Sequence, residues 1–305
     1  MESSRTRLFS LAKKLNNFYF TEYLSGSCLP FLCESVQVGL VSREVVTQLR
    51  RFPGVFTITP ASVTFADSLQ SPDTRSRALE AMLQQLRSED VLPVLRGWRD
   101  ECYVTRAASS GPDLFKMDRS ASKLFGVRQY GVHITGYVRH SQLGLCVWFQ
   151  RRSDTKQTWP GMWDSFVGGG ITEGFTVLET VVKEAGEEAN VPRELADKLR
   201  PAGSVSFMHG TPGGGICPDT EYVFDLELPE SFIPTNNDGE VADWRLVPVT
   251  DIPDLICGDN YKTTSTSVIL DWMIRHSVLT PETCDNFAEI VELIHLPVHQ
   301  LYNMK

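Results

Sequence analysis

The sequence predicts an α/β protein: a mixed sheet between helices over residues 125–280, preceded by a smaller α+β domain over residues 1–124 and followed by a helical tail over 281–305. Three observations carry this. Alternating apolar runs dominate after residue 125, as half-buried pleated strands require. One strong amphipathic helix, 177–189, interrupts them with 3.6-type spacing. Before residue 105, helical and short-strand signals mix without any catalytic spacing, and 305 residues are enough for two domains.

The first twenty residues, MESSRTRLFSLAKKLNNFYF, carry Arg5, Arg7, Lys13 and Lys14 against Glu2 alone, with Leu8, Leu11, Ala12 and Leu15 at helical spacing. They read as the first amphipathic helix of the N-terminal domain, with an organelle transit peptide as the alternative. Residues 42–52 and 74–90 have the helical period. The run 55–66 alternates and is broken by Pro60, as in a hairpin or two short strands. Small and turn-forming residues at 106–113 mark a long loop or the edge of a linker. Strands follow at 131–140 and 143–152. Two more, 203–209 and 221–228, are joined by the Gly-rich HGTPGGGICPD (209–219). That loop lacks the Lys-Ser/Thr of a phosphate-binding P-loop and reads as a mobile hairpin loop, a lid. A last strand at 239–249 precedes a helix at 265–279. A final helix starts at Thr280-Pro281, with threonine as N-cap and proline at the first helical position.

A net charge of −9 and a pI near 5.2 argue against a nucleic-acid surface, which needs clustered Lys and Arg. A small anionic substrate needs only a local basic patch or a metal. The seven cysteines are odd in number and scattered, without a Cys-x-x-Cys pair, which favours reduced thiols over a disulfide framework or zinc site. No apolar run approaches the ~18 residues of a membrane span. The expected location is cytoplasmic, or mitochondrial or another organelle if residues 1–20 are a transit peptide.

The segment KEAGEEAN (183–190) crowds Glu184, Glu187 and Glu188 onto one helix. Thr176 and Glu179 form a capping box at its start, and Asn190 tolerates the left-handed conformation that ends a helix. Leu178, Val181, Val182 and Ala185 make the core stripe, and the three glutamates fall on an adjoining arc of ~100°. A solvated face would interleave lysines, yet Lys183 alone is near. A divalent cation would turn the like-charge repulsion into attraction, and hard oxygen ligands suit Mg²⁺ or Mn²⁺.

With the glycines upstream, residues 169–191 resemble the signature of the Nudix hydrolase family: Gly, five residues, Glu, seven residues, then Arg-Glu-apolar-x-Glu-Glu-x-Gly-apolar. The spacing is kept in full from Gly169 to Val191. Phe175 stands in place of the first glutamate, Lys183 of the arginine and Asn190 of the last glycine. The resemblance implies a Nudix fold and metal-assisted hydrolysis of a diphosphate linked to another moiety. Glu184, Glu187 and Glu188 would ligate Mg²⁺ or Mn²⁺ with the Gly168 carbonyl, and Lys183 would sit in the catalytic motif. Glu240 in DGEV is the candidate later-loop glutamate, ligand or base. The departures would support the alternative, a non-catalytic Nudix-fold module that binds a diphosphate ligand or a protein.

Nearly the whole chain, including LRGWRDECYVT (95–105) and LFGVRQYGVHITGYV (124–138), is similar to a eukaryotic Nudix subgroup with an extra N-terminal domain. That subgroup is related to the Nudix portion of fungal thiamine pyrophosphokinases. The resemblance implies hydrolysis of thiamine diphosphate and its oxidised, damaged analogues, or of oxidised guanine nucleoside diphosphates of the 8-oxo-dGDP type. The N-terminal domain would shape the substrate pocket or make a homodimer contact. Arg151, Arg152 and Lys156 are candidates to clamp the diphosphate, and Trp159 to stack on a flat ring. Core packing suits Trp148, and His133 reads as a satisfied core histidine.

Overall fold

The computed structural model describes residues 4–108, 110–211 and 215–302. After α1 (Ser4–Leu15), a first lobe contains β1 (Leu29–Cys33), β2 (Val36–Val41), α2 (Arg43–Leu49), β3 (Phe56–Ile58), β4 (Val63–Phe65) and α3 (Pro72–Ser88). The sheet order is β2-β1-β4-β3, with β1 and β4 parallel. Its core is aromatic: Phe31, Phe56, Phe65, Phe115 and Phe125 pack with ring centroids 5.1–6.0 Å apart. The expected loop or linker at 106–113 is the turn of a hairpin between β5 (Cys102–Arg106) and β6 (Asp113–Asp118). Turn-forming composition marks the reversal of a hairpin as readily as a linker.

After α4 (Arg119–Ser122) come β7 (Gln129–His140), β8 (Gly144–Arg152), β9 (Trp163–Asp164), β10 (Val167–Gly170), α5 (Val177–Ala189) and α6 (Arg193–Ala196). Then follow β11 (Arg200–Thr211), β12 (Gly215–Glu227), β13 (Val241–Pro248), α7 (Ile252–Ile256), α8 (Thr266–Arg275), α9 (Phe287–Ile294) and α10 (Val298–Leu301). The sheet order is β11-β12-β7-β8-β13. Strand β12 runs parallel to β7, and the other neighbours are antiparallel. One face carries α5 over Val132, Ile134, Phe166 and Phe224. The other carries α1, α8 and α9 over Tyr137, Val147 and Phe207. The sheet thus lies between helices.

Two features position the site. One edge of β7 is shared: Tyr137–His140 pair with β8, whereas Gly131–Ile134 pair with β10. The sheet therefore forks beside α5. Second, the basic amphipathic helix α1 does not pack in the first lobe. Leu8, Ala12 and Leu15 are buried against Trp272, Ile290 and Ile294, and Asn16 bonds the Leu293 carbonyl and the Met208 amide. Amphipathic spacing states that a helix has a buried face but not against what. The final helix also begins later than Thr280-Pro281. Thr280 and Thr283 close a local turn, and α9 starts after Asn286. The β11–β12 loop expected as a lid has residues 212–214 outside the described set.

Candidate active site

The glutamate helix is built as its local signals dictate. Thr176 and Glu179 cap each other's backbone, and Asn190 ends the helix at φ 50°. The three glutamates, however, lie at three depths. Glu188 is buried in the fork of the sheet, where one carboxylate oxygen accepts from the Gly168 amide of β10 at 3.0 Å and from Gln150 Nε2 of β8 at 3.1 Å. Glu184 is mostly buried and lies over Gly169, where a Cβ would stand 2.4 Å from its carboxyl carbon. Glu187 is half exposed. Burial raises Glu184 and Glu188 above the ordinary carboxylate range.

Two lysines answer the crowding, contrary to the reading that lysine is scarce here. Lys183 Nζ lies 2.6 Å from Glu187, one helical turn on, and 3.4 Å from Glu184. Lys156 arrives from the loop after β8, pairs with Glu240 and stands 4.0 Å from Glu188. Its tether is long-range and leaves no helical spacing to read. Burial lowers the Lys156 ammonium, with Arg152 and Arg99 adding to the effect against the pull of Glu188. Glu240 is held near α5 because its loop is bonded to the helix end: Asn237 reaches the carbonyls of Glu187 and Gly186.

Among the described residues no three His, Cys, Asp or Glu side chains gather closely enough to hold a metal ion in this arrangement. The donor set still suits a hard divalent cation: buried carboxylate oxygens whose charge is now balanced by ammonium groups. The Gly168 amide points to Glu188 rather than across to β7. In a strand the carbonyl of such a residue faces the same edge. Glu184, Glu187, Glu188 and that carbonyl could therefore hold a cation in place of the lysine charges.

Glu184, Glu187, Gly168 and the two lysines open on a cavity of about 1290 Å³. Across it stand residues of the N-terminal half, Arg99, Tyr103 and Arg119, which sequence spacing did not single out. Arg99 has no carboxylate at ion-pair distance among the described residues. Its guanidinium is depressed first by burial and then by Arg119. Arg119 pairs with Glu101 at 2.5 Å and lies over the Tyr103 ring. The glycine-rich loop is braced from this side. A Cβ on Gly170 would meet the Tyr103 hydroxyl at 2.1 Å, the Glu173 amide donates to the Cys102 carbonyl, and Lys116 pairs with Glu173 at 2.8 Å. The exposed Phe175, where the signature has a glutamate, leaves that bracing to the N-terminal half.

The basic candidates divide. Strand alternation sends Arg151 and Arg152 to opposite faces. Arg151 pairs with the exposed Asp154 and is absent from the cavity wall. Arg152 lines the cavity but is mostly buried, 3.1 Å from Asp164, and donates to the carbonyls of Thr158 and Trp159. Burial alone would raise Asp164, but Lys262 and Arg152 hold it well below the usual carboxylate range. Trp159 does line the cavity, its ring 6.1 Å from that of His209. His133 is buried and bonded to Ser165 at 2.6 Å, and burial pushes it down to about 3. Trp148 packs against the core under α5. No disulfide joins any of the cysteines among the described residues.

Residues 129–266 match a family model described as NUDIX domain, and residues 7–129 match a domain of unknown function, DUF4743. Nudix hydrolase 24, chloroplastic, from Arabidopsis thaliana is 35% identical over 262 residues, 85% of this chain and 70% of that protein. Nudix hydrolase 20, chloroplastic, from the same plant is 32% identical over 294 residues, 92% of this chain and 77% of that protein. The uncharacterized protein YJR142W of Saccharomyces cerevisiae is 32% identical over 235 residues, covering 73% and 68%.

Proposed function

This chain belongs to the Nudix hydrolase family and is a pyrophosphohydrolase; from that premise we propose that it cleaves the diphosphate of a thiamine-diphosphate-like substrate, oxidised and damaged forms included, or of an oxidised nucleoside diphosphate of the 8-oxo-dGDP type. The products are the monophosphate and orthophosphate. One observation supports this reading above the others: a carboxylate helix and a set of cations drawn from both halves of the chain line a single cavity. Its volume exceeds that of an ordinary small-ligand pocket, ~300–1,000 Å³, and leaves room for an organic group beside two phosphates.

Nudix hydrolases generally use a divalent metal ion, and here Glu184, Glu187, Glu188 and the Gly168 carbonyl would hold Mg²⁺ or Mn²⁺. Bound there, such an ion would supply charge to neutralise diphosphate oxygens and would acidify a water. The chain's own groups do the rest. Arg99 and Arg119 take phosphate oxygens, the former with no carboxylate to compete. Lys156 stands between Glu188 and Glu240 and follows the phosphate as it enters. Glu187 or Glu240, both partly open to the cavity, accepts the proton of the attacking water. Arg152 and Asp164 fix the loop that carries Trp159.

A panel of diphosphates incubated with Mg²⁺ and read by phosphate release tests the proposal. Turnover should vanish with chelator. Glu187→Gln should lower turnover by ~10²-fold or more, the usual size for a lost acid–base group. It should cost only ~0.3–0.5 kcal/mol of stability, the worth of the exposed i,i+4 pair with Lys183. Full turnover in excess EDTA, or an unaffected Glu187→Gln enzyme, would sink it.

A further inference from the structure

The floor of the cavity holds polar groups that lack partners. β12 runs beside β7 with Asp219 next to Gln129 and Glu221 next to Gly131. Strand alternation therefore sets Asp219, Glu221 and Gln129 on one face. Asp219, Gln129 and His209 line the cavity. Gln129 Nε2, His209 Nδ1 and Glu221 Oε2 are buried with no hydrogen-bond partner. Gly131 gives Glu221 its room, since a Cβ there would stand 2.1 Å from that same oxygen. Each buried polar atom left unpaired costs ~1–3 kcal/mol. Two of the three residues, Gln129 and His209, line the cavity, where a ligand with matching groups removes that cost.

The inventory defines the ligand. Burial raises both carboxyls, and the charge of Asp219 raises Glu221 further. Asp219 offers acceptor oxygens at the cavity, and the neighbouring Gln129 adds an amide donor without a partner. Lys123, Lys262 and Arg119 act on Asp219, whereas Arg99 has no carboxylate partner among the described residues and is left for the anion. Trp159 supplies a flat wall beside His209. It is held at a left-handed φ of 54° while Arg152 bonds its carbonyl.

We infer that this floor recognises the organic half of the substrate as a flat nitrogen heterocycle bearing an amine next to a ring nitrogen, read by Asp219 and Gln129 against the face of Trp159. The amine donates to Asp219, and the ring nitrogen accepts from the unpartnered Gln129 amide beside it. The inference rests on the diphosphatase reading for its place in the substrate. The same edge occurs on an aminopyrimidine and on a guanine-type purine.

The test uses the full chain in EDTA, without diphosphate, and two matched pairs of probes at millimolar concentration: 4-amino-2-methylpyrimidine against 2-methylpyrimidine, and guanosine against inosine. Calorimetry or ligand-detected NMR reads the affinities. The amine-bearing member of one pair should bind at least ~10-fold tighter than its amine-free partner, the size of one hydrogen bond to a charged group. Which pair shows the preference identifies the ring system. Asp219→Ala and Gln129→Leu should each erase it, and the wild-type comparison stands if either variant fails to fold. Equal affinities within both pairs, no binding by any probe, or a preference that survives both variants overturns the inference. The assay needs neither metal nor turnover, so its failure and that of the diphosphatase assay are distinguishable.

Discussion

Replacing Arg152 with methionine separates a structural role from the substrate clamp that its sequence position suggested. The side chain is 8% exposed and its partner Asp164 3%. The change keeps much of the volume but removes the 3.1 Å ion pair and the donors to the Thr158 and Trp159 carbonyls. Breaking a buried pair from one side costs ~3–5 kcal/mol. Asp164 keeps Lys262 at 2.9 Å and its hydrogen bond from Ser265, which places the expected cost near the lower end, ~3 kcal/mol. That is a factor of ~10² in the folding equilibrium. Urea unfolding followed by tryptophan fluorescence measures it from the midpoint. Arg152→Met with Asp164→Asn should cost less than the sum of the two single changes, because the second removes the charge that the first strands. A single variant within ~0.5 kcal/mol of wild type that nevertheless loses turnover would refute this, since surface-like stability with lost activity is the mark of a substrate contact.

Gly169→Ala should leave the fold intact and lower turnover by ~10-fold or more. The new methyl would stand 2.4 Å from the Glu184 carboxyl carbon and displace it, and misplacing a site group by ~1 Å can cost ~10²; wild-type kcat in the variant would contradict this. His133 predicts an acid limb. Its folded pKa, about 3, is depressed by burial below the ordinary 6.5. The unfolded chain therefore takes up a proton below pH 6.5 while the folded chain does not. The stabilisation is complete above pH 6.5 and is lost on acidification towards pH 3, at up to ~1.4 kcal/mol per pH unit. Thermal unfolding between pH 7 and 4.5 in EDTA should show a shallower slope for His133→Asn, and an unchanged slope would count against the assignment.

Legibility in the sequence followed the range of the interactions. Helix 177–189 could be read to the residue because its cap and its end are local: Thr176 with Glu179, and Asn190. The strands at 131–140 and 143–152 were visible from alternation. That same alternation already states that Arg151 and Arg152 cannot share a face. Lys156 is a candidate from the sequence and does line the cavity, but its pairing with Glu240, like the approach of Arg99 and Arg119, comes through tertiary contacts, which leave no periodicity. Helix α1 shows the same limit. Its buried face was plain, but its partner Trp272 lies some 260 residues on. The Thr280-Pro281 pair is a good start signal that closed only a turn.

The cleft is assembled from two segments of one polypeptide. Arg99 and Arg119 are connected to β7 by a short stretch of chain, so the cationic wall meets the glutamate helix as an intramolecular event. Short tethers of this kind set effective concentrations in the millimolar range. Severed before β7, the pieces would have to associate by diffusion, and hydrolysis would vary with protein dilution. In the intact chain it does not. The covalent path thus makes assembly of the cleft independent of protein concentration, and it sets a region that matches a domain of unknown function against the cavity of its neighbour.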